Sequence, residues 1–163
     1  MKRIIRDARL VDDEWTRVDS DIGVDFALTA SDARLIVPLA VYVRLQQSAW
    51  PAERNRRLGL LLGPEDAPED CLPFLAQLPL IAVRFPAFTD GRGYSAGRLI
   101  RGRYGYTGEL RAVGDILRDQ LYFLKQCGFN AFDLRPGQDL AEALAAFGDY
   151  AWAAGAARLA DER

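Results

Sequence analysis

Histidine is absent from the 163-residue sequence, and only two residues are cysteine. The first absence removes the commonest general base near neutral pH and the commonest transition-metal ligand, and with them histidine-dependent triads and histidine-ligated haem. Cys71 and Cys127 stand far apart and form no C-x-x-C pair. They are too few to hold an iron–sulfur cluster or a structural zinc without other ligands. Two buried thiols in a reducing cytoplasm are the expectation. Lysine is nearly missing as well: of 21 cationic residues, only Lys2 and Lys125 are not arginine. Arginine grips carboxylates and oxyanions with a planar fork that lysine lacks, although genomic codon bias alone produces the same excess. The net charge of −2 offers no global attraction to nucleic acid or to an anionic membrane. No run approaches the roughly 20 apolar residues that span a bilayer. The opening MKRIIRDARLVDDEW has no apolar signal core. These absences predict a soluble, cytoplasmic protein with no bound cofactor, no metal, no nucleic-acid partner and no membrane partner.

What is present fits one α/β domain over 1–163, since half the residues are hydrophobic and 27% are charged. Residues 1–33 read as an N-terminal β arm or hairpin. Short strands are expected at Ile4-Ile5, Arg9–Val11 and Glu14–Val18, with a turn at Asp12-Asp13. The core, 34–150, repeats a strand-then-helix pattern. Apolar runs at Leu58–Leu62, Leu80–Phe85, Glu109–Val113 and Ala131–Leu134 alternate with segments of helical period. Val41, Leu45 and Ala49 suit one helix, Cys71–Gln77 another with Asp70 as its cap, Tyr94–Tyr104 a third and Ile116–Gln126 a fourth capped by Asp115. Asp139 and Glu142 form a capping-box pair before Leu140, Leu144 and Phe147. A C-terminal helical tail over 151–163 would dock Trp152. The prediction is a mainly parallel sheet of four or five strands, either open or part of a β/α barrel, with right-handed crossovers. Eight strands do not fit comfortably.

In such sheets the loops after the strands gather at one edge, where ligands bind. That places the chemistry in Phe85–Leu134. Asp90-Gly91-Arg92-Gly93-Tyr94-Ser95 leads from a strand into a helix. Its glycines permit close backbone approach, the helix start offers free N–H groups, and Arg92 supplies a fork for a phosphate, sulfate-like or carboxylate group. A plain helix-entry loop capped by Asp90 or Ser95 explains the same residues. Gly91-x-Gly93-x-x-Ala96 with Asp115 downstream superficially matches a dinucleotide fingerprint, but Pro86–Asp90 intervenes between strand and glycines. Arg98, Arg101 and Arg118 complete the polar candidates. Asp115 is either a helix cap or a carboxylate aimed at a ligand. Glu109 and Arg111 alternate with Leu110 and Ala112, so one of them is a candidate to face a partner. Tyrosines and phenylalanines among these arginines suit core packing or a protein-interaction patch.

Three segments, DGRGYSAGRLIR at Asp90–Arg101, GYTGELRAVGDILRDQ at Gly105–Gln120 and CGFNAFDL at Cys127–Leu134, resemble an uncharacterised bacterial family, a domain of unknown function. Its members are described as probable oxidoreductases involved in sulfite reduction, a description drawn from neighbouring genes of sulfite reductase and sulfate activation. The likeness is specific over Leu80–Leu134 and vague before Leu58. Members commonly carry Ser-Gln-Ala after the Gly-Tyr, where this chain has Ser95-Ala96-Gly97. The resemblance implies a place in sulfur assimilation and transfers no catalytic residue. It supports an accessory protein of assimilatory sulfite reduction that binds a partner, such as sulfite reductase or another sulfur-assimilation enzyme, or a small anion. The competing reading is an enzyme of sulfur metabolism with Asp115 as acid or base and Arg92 as oxyanion clamp.

Overall fold

The computed structural model describes residues 1–18, 32–87, 89–145 and 147. The expected tail over 151–163, with Trp152 and the break at Gly148-Asp149, lies outside them. Eight strands form one sheet, in the order β2-β1-β8-β7-β6-β5-β4-β3. They are β1 (Arg3–Arg6), β2 (Arg9–Asp12), β3 (Trp15–Arg17), β4 (Arg34–Pro38), β5 (Leu58–Leu62), β6 (Leu80–Phe85), β7 (Glu109–Gly114) and β8 (Ala131–Phe132). From β3 to β8 every neighbouring pair is parallel, and β1 is antiparallel to both β2 and β8.

The α/β class and the mainly parallel sheet stand, but four or five strands is an undercount. The missing strands come from the N-terminal segment, which is part of the sheet and not an arm laid against it. The turn also lies elsewhere. Asp7 and Ala8 both adopt positive φ, 50° and 59°, as a tight β1–β2 hairpin turn requires. Neither residue advertises that geometry as Asn-Gly would. Asp7 is held there by its N–H donating to the Asn130 carbonyl at 2.9 Å and by Asn130 Nδ2 donating to its carboxylate at 3.1 Å.

Asp12-Asp13, expected as a hairpin turn, carries the chain from one end of the sheet to the other. β2 and β3 are the two edge strands, yet only Asp13 and Glu14 separate them. Three residue steps reach at most roughly 11 Å. Eight strands laid flat would put their edges roughly 30 Å or more apart. The sheet must therefore curl until its edges nearly meet. The two edges are not hydrogen-bonded to each other among the described residues, so the curl is unclosed.

Alternation along the strands sorts the side chains onto two faces. Leu35, Val37, Leu58, Leu60, Leu62, Ile81, Val83, Phe85, Leu110 and Phe132 join the larger core with the helices. Ile36, Leu61, Leu80, Ala82 and Val113, with Trp15 packed on them, fill the concave side. An eight-strand curl leaves room there for its own side chains or for one small ligand.

The covering segments are shorter and tighter than the periodicity suggests. Helix α1 spans Leu39–Gln47 and buries Val41, Tyr42 and Leu45, while Ala49 lies beyond it and is exposed. Arg54–Arg57 belongs to a 3-10 helix, Ala52–Arg57, and Pro68–Gln77 is also 3-10. Pro73 lacks the N–H that an α-helix needs there, and Asp70 makes no capping bond. Helix α2 (Arg92–Arg98) runs into a π turn at Leu99–Arg103. After β7, Arg118–Gln120 is a 3-10 turn and α3 is Leu121–Gln126. Its entry is fixed by Gln120 Oε1 accepting the Leu117 N–H at 2.8 Å, not by Asp115. Asp139 does cap as expected, accepting the Glu142 N–H at 3.0 Å. No helix among the described residues is long and apolar enough to cross a membrane.

Gly114 ends β7 at φ +102°, and a Cβ there would run into the Phe85 carbonyl oxygen. That carbonyl accepts the Asp115 N–H at 2.8 Å, so it is not free to move. Gly114→Ala is therefore expected to cost about 2 kcal/mol or more. Urea unfolding reads this as a lowered midpoint with an unchanged slope; an unchanged midpoint would contradict the strain.

Candidate functional site

The strands β4 to β8 end at one edge of the curl. Of the sequence candidates, Asp90, Arg92 and Ser95 follow β6 there, and Asp115 and Arg118 follow β7. Arg98 lies on α2 with its guanidinium 5.3 Å from the Phe123 ring, on an exposed surface. Arg101 is at the opposite edge. Its Nε donates to the Gly128 carbonyl at 2.8 Å, Nη1 to the Tyr106 carbonyl at 2.5 Å and Nη2 to Asn130 at 3.2 Å. These partners precede β7 and β8, so Arg101 ties the starts of two strands together. Burial lowers its pKa, and burial likewise raises that of Tyr106, whose hydroxyl donates to the Leu78 carbonyl at 2.8 Å.

The loop before α2 has the geometry of a closed helix entry. Asp90 Oδ1 accepts the Arg92 N–H at 3.0 Å, which puts the protein's own carboxylate where an anion would sit. Arg92 donates to Asp90 at 2.6 Å and to Glu65 at 3.0 Å. One guanidinium thus faces two carboxylates. Its hydrogen bonds hold the Asp90 carboxyl down at a pKa of about 2 and push Arg92 further up. Gly93 is explained by packing, because a Cβ would lie 2.5 Å from the Phe85 ring. Gly91 meets nothing within 4 Å. A cavity of about 290 Å³ does lie beside this loop, but Leu62, Pro64, Val83 and Leu99 make much of its wall. Asp115 faces Arg135 at 3.2 Å, and Arg118 is hydrogen-bonded to Glu142.

A second group at the same edge escaped the sequence reading. A cavity of about 310 Å³ opens on the concave side, lined among others by Lys2, Asp13, Arg17, Arg111 and Asp133. A neighbouring one of about 340 Å³ shares Lys2, Arg17 and Asp133 and adds Arg3 and Arg135. Lys2 Nζ donates to Asp133 Oδ2 at 2.7 Å, and Asp133 is only 8% exposed. Arg111 is 1% exposed. Its Nη1 donates to Asp13 at 2.9 Å and its Nε to Glu109 Oε1 at 3.0 Å. Nη2 lies 2.9 Å from that same Glu109 oxygen, an ion-pair contact off the angle for a hydrogen bond, and is itself buried. Glu109 and Arg111 therefore both face inward. The alternation of β7 signalled Arg111; nothing local signalled Lys2 or Asp133, which meet through the β1–β8 pairing, or Arg17, which depends on the curl. Among the described residues, no three of Cys, Asp and Glu gather so as to hold a metal ion. Cys71 is buried and its thiol donates to the Pro68 carbonyl at 2.9 Å, with its pKa pushed up to about 11 chiefly by burial.

Two measurements check this electrostatic description. In Arg92→Ala, the Asp90 carboxyl carbon is expected to titrate above about 2 but still below the ordinary 3.8, because the main-chain N–H of residue 92 still donates to it. Asp90 is depressed in the folded state, so its pairing adds stability above the ordinary carboxylate range and loses it as pH falls toward 2. An unchanged NMR titration would remove Arg92 as the cause. Arg111→Met alone strands Asp13 and Glu109 and should cost about 3–5 kcal/mol, whereas adding Asp13→Asn and Glu109→Gln should restore much of that loss. Chemical denaturation of the single and triple variants decides it.

A search of curated proteins finds no match. A family model described as "Bacterial protein of unknown function (DUF934)" matches residues 59–157. That span covers more than half of the chain and includes β5 to β8 with the strand ends described above. The chain therefore belongs to this bacterial family of unknown function.

Proposed function

We propose that this chain is an accessory protein of assimilatory sulfite reduction that binds a small oxyanion at the strand C-terminal edge. The observation carrying the proposal is the gathering of Lys2, Arg3, Arg17, Arg111 and Arg135, from four separate parts of the chain, around two joined cavities. Asp133, Asp13, Glu109 and Asp115 already pair with Lys2, Arg111 and Arg135, so an entering anion would share these cations with the protein's own carboxylates. The edge position agrees with where ligands sit in parallel sheets. The link to sulfur rests on the resemblance over Leu80–Leu134 described above.

The docking version has its own support in Phe123, which is 43% exposed beside Arg98 and Tyr94. An exposed aromatic with an arginine over it has the composition of an interface anchor.

Calorimetry of the purified protein with sulfite and sulfate tests the anion. Saturable binding is expected, weakened about fivefold in Lys2→Gln, the loss of roughly 1 kcal/mol for one partly solvated charge. Absence of saturable binding would overturn the anion reading. A gene deletion tests the pathway: growth on sulfate should fail and sulfide or cysteine should restore it. Normal growth on sulfate would remove sulfite reduction from the proposal.

A further inference from the structure

The surface made by α2, the π turn after it and α3 carries cations and no carboxylate of its own. No Asp or Glu occurs in Gly91–Gly108 or in Gln120–Phe132, whereas Arg92, Arg98, Arg101, Arg103 and Lys125 do. Arg92 is held by Asp90 and Glu65. Arg101 gives N–H groups to the Gly128 and Tyr106 carbonyls, which satisfy donors but do not neutralise its charge. Arg98 and Arg103 are exposed, and among the described residues neither has a carboxylate or a hydrogen-bond acceptor. Asp7 and Asp119 border this surface, the first bound by Asn130 and the second beside Arg118.

Packing sets the bare cations next to an exposed ring. Phe123 on α3 is 43% exposed. The Arg98 guanidinium lies 5.3 Å from its centre, and Tyr94, one helical turn earlier on α2, meets the same ring at 5.0 Å. The Tyr104 N–H donates to the Leu99 carbonyl, five residues back, at 2.8 Å. In that i→i+5 geometry Arg103 falls one turn beyond Arg98 on the same side. Gly102 between them is exposed, and a Cβ there would meet nothing within 4 Å. Nothing from the chain itself therefore stands over the two guanidinium groups.

Ring and cations together select the occupant. A second copy docked across a twofold axis would set these cations against themselves. A nucleic acid needs a bare aromatic face for stacking, and Arg98 and Tyr94 already lie against Phe123. The net charge of −2 adds no long-range pull on a polyanion. An acidic protein surface suits both features, since carboxylates pair with arginine forks and an apolar recess takes the ring edge.

We propose that α2, its π turn and α3 dock an acidic segment of a different protein, with Phe123 as the apolar anchor and Arg98 and Arg103 pairing with the partner's carboxylates. This rests on the docking version of the reading above and specifies the partner's chemistry.

The test places the photo-crosslinking residue p-benzoylphenylalanine in place of Phe123 in the full chain, in cells grown on sulfate. Mass spectrometry then identifies the joined peptide. The expected product is a different protein, captured within a segment where Asp and Glu outnumber Lys and Arg. Arg98→Glu and Arg103→Glu should each lower the yield about tenfold, and a synthetic peptide of that segment should bind wild-type protein less tightly as salt rises. Crosslinks to a second copy, to RNA or to a segment without excess carboxylate would overturn the proposal. A yield unchanged by both charge reversals, or no crosslink at all, would also overturn it. Arg98 and Arg103 line neither anion cavity, so sulfite and sulfate calorimetry on the same variants should match wild type. Docking lost with anion binding intact, or the reverse, shows which reading fails. An acidic partner from outside sulfur assimilation would keep this surface and remove the pathway.

Discussion

The two-residue link between β2 and β3 is the constraint on which this structure depends. Asp13 and Glu14 join strands at opposite ends of an eight-strand order, so the sheet has no flat solution. The shape of the concave side follows from that curl. Asp13 comes within 2.9 Å of Arg111 on β7 although β1 and β8 lie between their strands in the sheet. Trp15 packs on Ile36, Leu61, Leu80, Ala82 and Val113 as a small inner core. A buried guanidinium with two carboxylates is a costly way to fill that space, and apolar residues of equal volume would serve stability as well. Arg111 nonetheless lines the concave cavity while Asp13 and Glu109 hold its charge.

The same curl separates two kinds of arginine. Arg92, in the loop that draws the eye in the sequence, is consumed by Asp90 and Glu65 at the surface. Arg101 serves as a structural tie at the far edge. Arg111 is held by Asp13 and Glu109 but is deeply buried beside the concave cavity. Abundant arginine is thus no guide to a binding site; the distinction lies in where each guanidinium sits.

Much of the fold is legible from local pattern. The runs at Leu58–Leu62 and Leu80–Phe85 are fully or nearly buried strands because both sheet faces are covered, and Asp139 caps the segment at 140–145. The strand count is not legible, because Arg3–Arg6 and Trp15–Arg17 are short, polar and dependent on distant partners. The Asp7-Ala8 turn is set by Asn130, 122 or more residues away, and so leaves no local signature. Helix entry at Leu121 is fixed by Gln120, while Asp115, six residues earlier, pairs with Arg135. The site is harder still. Lys2, Asp133 and Arg111 meet through the pairing of β1, β8 and β7, and Arg17 on β3 joins them only because the sheet curls, facts of topology that no window of sequence contains.

The central claim is that an anion enters the concave mouth and not the loop before α2. Backbone amide mapping by ¹H–¹⁵N NMR during a sulfate or sulfonate titration tests it most directly. Saturable shifts should centre on Lys2, Arg17, Gly114, Asp133 and Gly137, which line the mouth. Shifts centred on Gly91–Ala96 with the mouth unmoved would contradict it.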